Sequence, residues 1–381
     1  MTSRGIYGRK PLDIEVRVRE IGAPGPGQAV VKVRACGVCG TDVNFVRDWK
    51  GSFMALGHEI AAEVVEVGPG VAGLAAGDRV IVEDCSMCGT CERCKSGHPE
   101  LCRTMFSLDG QPGMGDYLVV ARNSLVKFDP VAPGDICLDF VAASLTEPLA
   151  VSLTSVLNAD IPLGGSVLVL GNGPLGLMSA LLARMKGAGF VAIAARGTDT
   201  PLRAARRAAA EKADLDLVLT CGSQELREQI LSRFPAGVDR VIVSTPPAGI
   251  ADALAVIRFG GLITFYGLHL GGAANGVVAS GGTASEGTAS GGAAPGGTES
   301  VTGGANLIAL DINDLIFRKI SLVPTFAEPA INFPVSLSLL RQGRIDPAAI
   351  ITHTFGFPSV KDTLAGMVNG SLPVVKAVLV L

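Results

Sequence analysis

The chain has 381 residues, 48% hydrophobic and 18% charged, with a formal net charge of −3. That length exceeds what one compact core usually takes, so two domains are expected. The composition is that of a soluble globular protein, and the negative balance argues against nucleic acid or an anionic membrane as the main partner.

The opening MTSRGIYGRKPLDIEV has no apolar core of the kind a signal peptide carries, and no apolar run reaches bilayer-spanning length. A reducing cytoplasm is therefore expected, where disulfides are disfavoured. The first third reads as β-rich: QAVVKVRACGV, EIAAEVVEVG and DRVIVEDC are short β-branched runs set apart by Gly, Pro and Asp. Within it CGVCGTD offers Cys39 and LGHE offers His58 and Glu59. Further on, LTEPLA offers Glu147. Cysteine, histidine and carboxylate are all good zinc ligands, and three of them with an open position describe a catalytic metal site. Taken singly, each is more often a core or surface residue.

Between these motifs lies CSMCGTCERCKSGHPELC, which holds five of the nine cysteines. Cys88, Cys91, Cys94 and Cys102 are spaced C-x2-C-x2-C-x7-C, close enough to close an all-thiolate tetrahedron, the mark of structural zinc. An iron–sulfur cluster is the competing reading, but ferredoxin spacings differ. Cys85 falls outside the spacing and is read as a spectator; Cys36, Cys137 and Cys221 are read as ordinary core cysteines.

From about residue 152 the rhythm changes. SVLVLG, FVAIAA, LDLVLT, DRVIVSTP and LITFYGL read as strands. They alternate with helices in PLGLMSALLARMKGAG, TPLRAARRAAAEKA, QELREQILSRF and IADALAVIRFGG. That alternation predicts a parallel sheet of βαβ units. Gly171, Gly173 and Gly176 form G-x-G-x-x-G between the first strand and its helix. The spacing suits a tight turn, a pyrophosphate against Gly173, and the free N–H groups of a helix that opens with Pro174, which has no N–H of its own, and Leu175. Where an NAD-binding acid would end the second strand, IAARGTD has Ala195 and then Arg196, with Thr198 and Arg203 nearby. A missing carboxylate and an adjacent guanidinium favour NADP(H) over NAD(H). Residues 271–304 are Gly/Ala/Ser/Thr-rich and read as a flexible surface excursion. Beyond them come DINDLIFRKISLVPTFAEP, the helix PVSLSLLRQGRI, then strand, helix and the last strand PVVKAVLVL.

The order CGVCGTD, GHE, four-cysteine lobe, EPLA and GNGPLG resembles the zinc-containing medium-chain dehydrogenase/reductase family of alcohol and polyol dehydrogenases over nearly the whole chain apart from 271–304. The resemblance implies an α/β protein with a GroES-like β-rich catalytic domain over 1–151. A doubly wound Rossmann domain would follow over 152–322, then a return to the catalytic domain over 323–381. It implies one catalytic and one structural zinc per chain and a homodimer or homotetramer. Cys39 and His58 would hold the catalytic zinc, and Glu147 would be a third ligand or position water there. Glu59 would lie behind them or swap in, and Thr41 would relay the substrate proton. Zinc would act on the substrate oxygen as a Lewis acid while hydride passes to or from the nicotinamide. The EPLA form resembles the sorbitol, threonine and other polyol or amino-alcohol branches, so a secondary alcohol, polyol, sugar or cyclitol is the expected substrate. Alternatives are a simple-alcohol or amino-alcohol dehydrogenase using NAD(H), or a non-catalytic NADPH sensor. A nucleic-acid-binding zinc ribbon fits poorly with the mixed charge of Glu92, Arg93, Lys95 and Glu100, and a zinc-free reductase of this fold would lack both zinc sets. Asn44 stands where many members have a proton-passing histidine, so the relay would end in water or a ribose hydroxyl. Phe45, Trp49, Phe106 and Phe326 are candidates to line the cleft.

Overall fold

Described in a computed structural model are residues 1–197, 199–267 and 308–381. Thr198 and the 271–304 excursion lie outside the described residues.

The six strands of the second half form one parallel sheet: Ser166–Leu170, Phe190–Ala195, Leu217–Thr220, Val238–Val243, Ile257–Phe265 and Ser321–Pro324. Numbered one to six in chain order, they lie 3-2-1-4-5-6, the order that reverses between the first and fourth strands. Ser166–Leu170 is buried along its whole length, as a central parallel strand covered on both faces must be. In such sheets ligands bind beyond the strand ends at the reversal. Gly171 and Ser244, which directly follow the two strands there, meet at that point: Ser244 Oγ donates to the Leu170 carbonyl at 2.8 Å.

The β-rich half closes a seven-stranded sheet around Gln28–Gly37, which pairs with Glu59–Val67, Tyr117–Ala121 and Lys376–Val380. The last of these comes from the far end of the chain, so the C-terminus finishes the sheet that carries the first metal-ligand motifs. A separate hairpin, Thr2–Arg9 with Asp13–Glu20, takes Met54–Ala55 as a third strand.

Some expectations shift. The helix read over 250–261 stops at Val256; Ile257 turns extended and pairs with Val238, and a register shift follows where Gly260 adopts φ +69°. The 151/152 boundary falls within the helix Thr146–Asn158, and 322/323 within the strand Ser321–Pro324. Contrary to the sequence reading, one stretch among the described residues, Phe140–Asn158, is long and apolar enough to cross a membrane, but it is mostly buried in the protein. Its helix Thr146–Asn158 packs on Pro174–Met185 and Phe333–Arg341, which explains its apolarity without lipid. Cys36 is a core residue, Cys221 is half-buried, and Cys137 is exposed beside the Arg79 guanidinium, 3.3 Å away, rather than in the core.

Gly176 shows how closely helix and strand approach. A Cβ there would overlap the Gly171 carbonyl oxygen, a backbone atom that cannot swing aside. Gly176→Ala is expected to cost about 1–3 kcal/mol. The measurement is the melting temperature, which should fall by several degrees; an unchanged melting curve would show that the approach is looser.

Candidate active site and metal centres

The first ligand motif is folded by one carboxylate. Cys39 caps the helix Gly40–Asp48, and its backbone N–H donates to Asp42 Oδ2 at 2.9 Å, a short-range capping bond. The other oxygen, Oδ1, accepts from the Gly57 N–H at 2.8 Å. Asp42 is 1% exposed and joins the turn before Cys39 to the turn before His58. Gly57 sits at φ +88°, which favours glycine, and a Cβ there would crowd Met114 and Cys36 Sγ.

As a result Cys39 Sγ, a His58 ring nitrogen and a Glu59 carboxylate oxygen all lie within 4.8 Å of one another. Glu59 is held from behind by a buried ion pair with Lys376, whose Nζ also donates to the Val38 carbonyl at 2.9 Å. Its Oε2 is buried within that ion pair, and a Cβ on Gly37 would overlap that oxygen. Glu147, in the first turn of Thr146–Asn158, lines the same cavity but stands outside this group of three. Thus Glu59, expected to lie behind the ligands or to swap in, is the carboxylate that groups with Cys39 and His58 within 4.8 Å. The donor set of thiol, imidazole and carboxylate fits zinc.

The electrostatics follow from crowding. Burial works against charge on His58. The Cys39 sulfur, bonded to its ring, together with Asp42 and Glu147, nevertheless raises its proton affinity well above that of free imidazole. Glu147 is pushed well above the usual carboxylate range, chiefly by burial, with Glu59 and Asp84 adding to it and His58 opposing.

The four-cysteine lobe folds through the one-turn helix Glu92–Lys95 and the 3-10 turn Pro99–Leu101. Cys88, Cys91, Cys94 and Cys102 bring their sulfurs to 3.5, 3.6, 3.8 and 4.0 Å in the pairs 91–94, 88–102, 91–102 and 88–94. Four sulfurs bound to zinc at about 2.3 Å would stand about 3.8 Å apart, so the residues fit a tetrahedral ion. The Thr90 and Cys91 amides point at Cys88 Sγ and lower its thiol to about 6. Burial pushes Cys94 up to about 12. Cys85 is not part of this set: its sulfur lies with the carboxylates of Asp84 and Glu328.

The glycine turn and the first metal group open on one cavity of about 640 Å³. Its walls include Gly173, Pro174, Leu175 and Gly176 from the parallel-sheet half, and Cys39, Thr41, His58 and Glu147 from the other. Gly173 is the residue before the helix Pro174–Met185, so the free N–H groups of that helix face the cavity. A chain of small residues at this turn is the cradle a pyrophosphate needs, and it fits a dinucleotide. Arg203 lines the cavity and pairs with Asp199. Arg196 is outside the lining residues; its Nη2 bonds Asp252 at 2.7 Å and Ser223 at 2.9 Å. Of the four aromatic candidates, only Phe326 lines the cavity; Phe45 packs edge-on to Trp49 in the core, and Phe106 is exposed elsewhere.

Among the charged cavity residues not foreseen in the sequence are the following four. Asp84 and Glu328 bring carboxylates together because the Ala330 N–H donates to the Cys85 carbonyl at 2.8 Å, stitching the C-terminal return onto the lobe. Lys376 and Arg206 are the others. For the first three no local pattern exists. For Arg206 a signal did exist: it falls four residues after Leu202 and four before Ala210, on the apolar face of its helix.

Residues 25–130 match the alcohol dehydrogenase GroES-like domain. The chain is 31% identical over 281 residues to an L-threonine 3-dehydrogenase of Pyrococcus abyssi, a match spanning 71% of this chain and 76% of that protein. It is 31% identical over 273 residues to an L-galactonate-5-dehydrogenase of Escherichia coli K12, spanning 69% and 75%. An alcohol dehydrogenase of Escherichia coli CFT073 solved with NADH shares the fold at a TM-score of 0.78 and 23% identity, over 100% of this chain and 99% of that one. By its glycine turn, its two metal-ligand sets and these relatives, the chain belongs to the zinc-containing medium-chain dehydrogenase/reductase family, the alcohol and polyol dehydrogenases that oxidise and reduce CH–OH groups.

Proposed function

We propose that this protein transfers hydride between NADP(H) and a secondary alcohol or ketone of the polyol, sugar or cyclitol class, with one catalytic and one structural zinc per chain. The observation that carries the reading is the single cavity onto which the Cys39, His58 and Glu59 group and the Gly173–Gly176 turn both open. NADP(H) is favoured because Ala195 removes the carboxylate that would repel a 2′-phosphate, and Arg196, 63% exposed at the same strand end, engages only its Nη2 among the described residues. The family resemblance supports a homodimer or homotetramer.

When bound at Cys39, His58 and a carboxylate, zinc supplies Lewis acidity to the substrate oxygen. The chain's residues do the rest. The cavity walls hold the carbinol carbon and the nicotinamide in contact and keep water out. Thr41, beside Cys39 on the cavity wall, takes the hydroxyl proton and passes it outward. Asn44, one turn along the helix, accepts from Arg47 at 2.6 Å and cannot titrate, so the proton leaves through water or a ribose hydroxyl. Burial raises the proton affinity of Glu147, and zinc held beside it would favour its ionised form.

The substrate class rests on Asp84 and Glu328. Both line the cavity, and burial raises both carboxyls above their usual range. Two carboxyl groups suit several hydroxyls of a polyol. The same pair would also hold an ammonium, which makes an amino alcohol the second reading. A panel of polyols, cyclitols, amino alcohols and simple alcohols, each with NADP and NAD, tests both, with His58→Ala as the blank. Polyol or cyclitol turnover with NADP, absent in His58→Ala, is expected; a clear preference for NAD would sink the Arg196 argument, and activity confined to simple alcohols would sink the substrate class.

Zinc capture should also depend on pH in a fixed sense. His58 keeps its proton in the metal-free site to higher pH than free imidazole, and zinc needs that nitrogen bare. Apparent zinc affinity should therefore rise with pH through and above neutrality and level off only beyond His58's raised value. Chelator competition at a series of pH values reads this; an affinity flat between about pH 6 and 8, the range around free histidine, would contradict it.

A further inference from the structure

Tyr266 is a buried phenol on the cavity that takes no part in the proton path through Thr41. It follows the strand Ile257–Phe265, and its N–H donates to the Val243 carbonyl at 3.2 Å, which holds it at the reversal of strand order. The residue lines the cavity, but its hydroxyl bonds Ser179 Oγ at 2.9 Å. Ser179 is fully buried in the helix Pro174–Met185 and lies outside the cavity lining. The hydroxyls of Ser244 and Ser152 also bear on the phenol and pull its proton affinity down, yet burial outweighs them and raises it. An un-ionised phenol turned away from the cavity cannot serve the substrate as acid or base.

Each hydroxyl in this cluster has one proton to give. Ser244 gives its proton to the Leu170 carbonyl at 2.8 Å, at the end of the first strand of the parallel sheet. Ser152 gives its own to the Leu175 carbonyl at 3.1 Å or to the Pro148 carbonyl at 3.0 Å. That leaves the phenol and Ser179 to supply the protons that join the four hydroxyls. The two carbonyls within reach of Ser152 belong to the residue after Glu147 and the residue before Gly176. One buried cluster therefore touches the helix that carries Glu147, the glycine turn, and the strand ends at the reversal. We propose that Tyr266 is a positioning residue for hydride transfer. Its hydroxyl holds the glycine turn at a fixed distance from the helix of Glu147, and so sets how closely the nicotinamide meets the carbon beside the metal. The proposal rests on reading the cavity as the site of hydride transfer.

The test uses the full chain with both zinc ions, as wild type, Tyr266→Phe, Ser179→Ala and Ser155→Ala. Ser155→Ala is the control: it removes an equally buried bond of the helix Thr146–Asn158, Ser155 to Thr264 at 3.0 Å, without touching the cluster. The readouts are zinc content, melting temperature, NADPH and NADH affinity by calorimetry, and turnover of the best alcohol of the substrate panel, unlabelled or deuterated at its carbinol carbon. Tyr266→Phe is expected to keep its zinc, to lower kcat about 10-fold with a larger deuterium effect, and to leave KM for the alcohol within about twofold. Ser179→Ala should move kcat and the deuterium effect in the same direction by less, and it carries the test if Tyr266→Phe does not fold. Ser155→Ala should lower the melting temperature alone. Unchanged kcat and deuterium effect in the folded cluster variants would overturn the proposal. An equal loss of kcat in Ser155→Ala would also overturn it, by making the effect one of general stability. Loss of zinc from Tyr266→Phe would place its effect at the metal and overturn the assignment to the glycine turn. Wild type that binds neither dinucleotide would instead overturn the reading of the cavity itself.

Discussion

One carboxylate organises the catalytic half. Asp42 spends both oxygens on two backbone N–H groups well apart in the chain, those of Cys39 and Gly57, in a place 1% open to water. Each such charge-assisted bond is worth about 1.5–3 kcal/mol, and losing the carboxylate would leave two donors unsatisfied. The two bonds fix the distance between a helix start and a strand start, and so between Cys39 and His58. Gly57 must then take a left-handed turn, and Gly37 must stay without a side chain because Glu59 fills that space. The far end of the chain contributes the remaining constraint: Lys376, 317 residues from Glu59, neutralises it inside the sheet. Removing one partner of a buried pair like this costs about 3–5 kcal/mol, so the C-terminal strand is as much part of the metal site as the first motif is.

The parallel-sheet half solves a different problem, presenting backbone N–H groups to an anion without a side chain in the way. It does so with glycines where strand meets helix and with a reversal of strand order that leaves a crevice. The two halves bring opposite charge to one cavity. His58, Asp84, Glu147 and Glu328 crowd acidic and imidazole groups at one end, while the glycine turn and Arg206 gather positive potential at the other. A cofactor with phosphates at one end and a polar substrate beside the metal at the other fits that division.

Much of this was legible in the residues. The glycine turn and the four-cysteine lobe are local: their function needs only neighbours in sequence and a turn that lets them meet, and spacing records both. The alternation of strands and helices was readable for the same reason, except at Ile257. There the helical period of IADALAVI runs straight into a strand whose start is decided by pairing with Val238. Cys39, His58 and Glu147 became visible only as an ordered set. Glu59 stood among the candidate ligands in LGHE, but what holds it in place, Lys376 and the open space at Gly37, was not readable. Asp84 with Glu328 was unreadable for the same kind of reason, a backbone bond between Ala330 and Cys85 that joins distant parts of the chain. Cys137 misled because apolar neighbours in sequence need not be neighbours in space. The apolar stretch ending in Asn158 reversed the expectation in the other direction, a helix long enough for a bilayer that the fold itself buries.

The account turns on Asp42 as the residue that gathers the catalytic ligands, and metal content measures this most directly. Wild type should carry two zinc ions per chain, and Asp42→Ala, checked by circular dichroism for retained fold, should carry one. The ion that remains should be released only when one of Cys88, Cys91, Cys94 or Cys102 is also replaced. Two tightly held zinc ions in folded Asp42→Ala would contradict the account, because Cys39 and His58 would then meet without the carboxylate that was taken to join them.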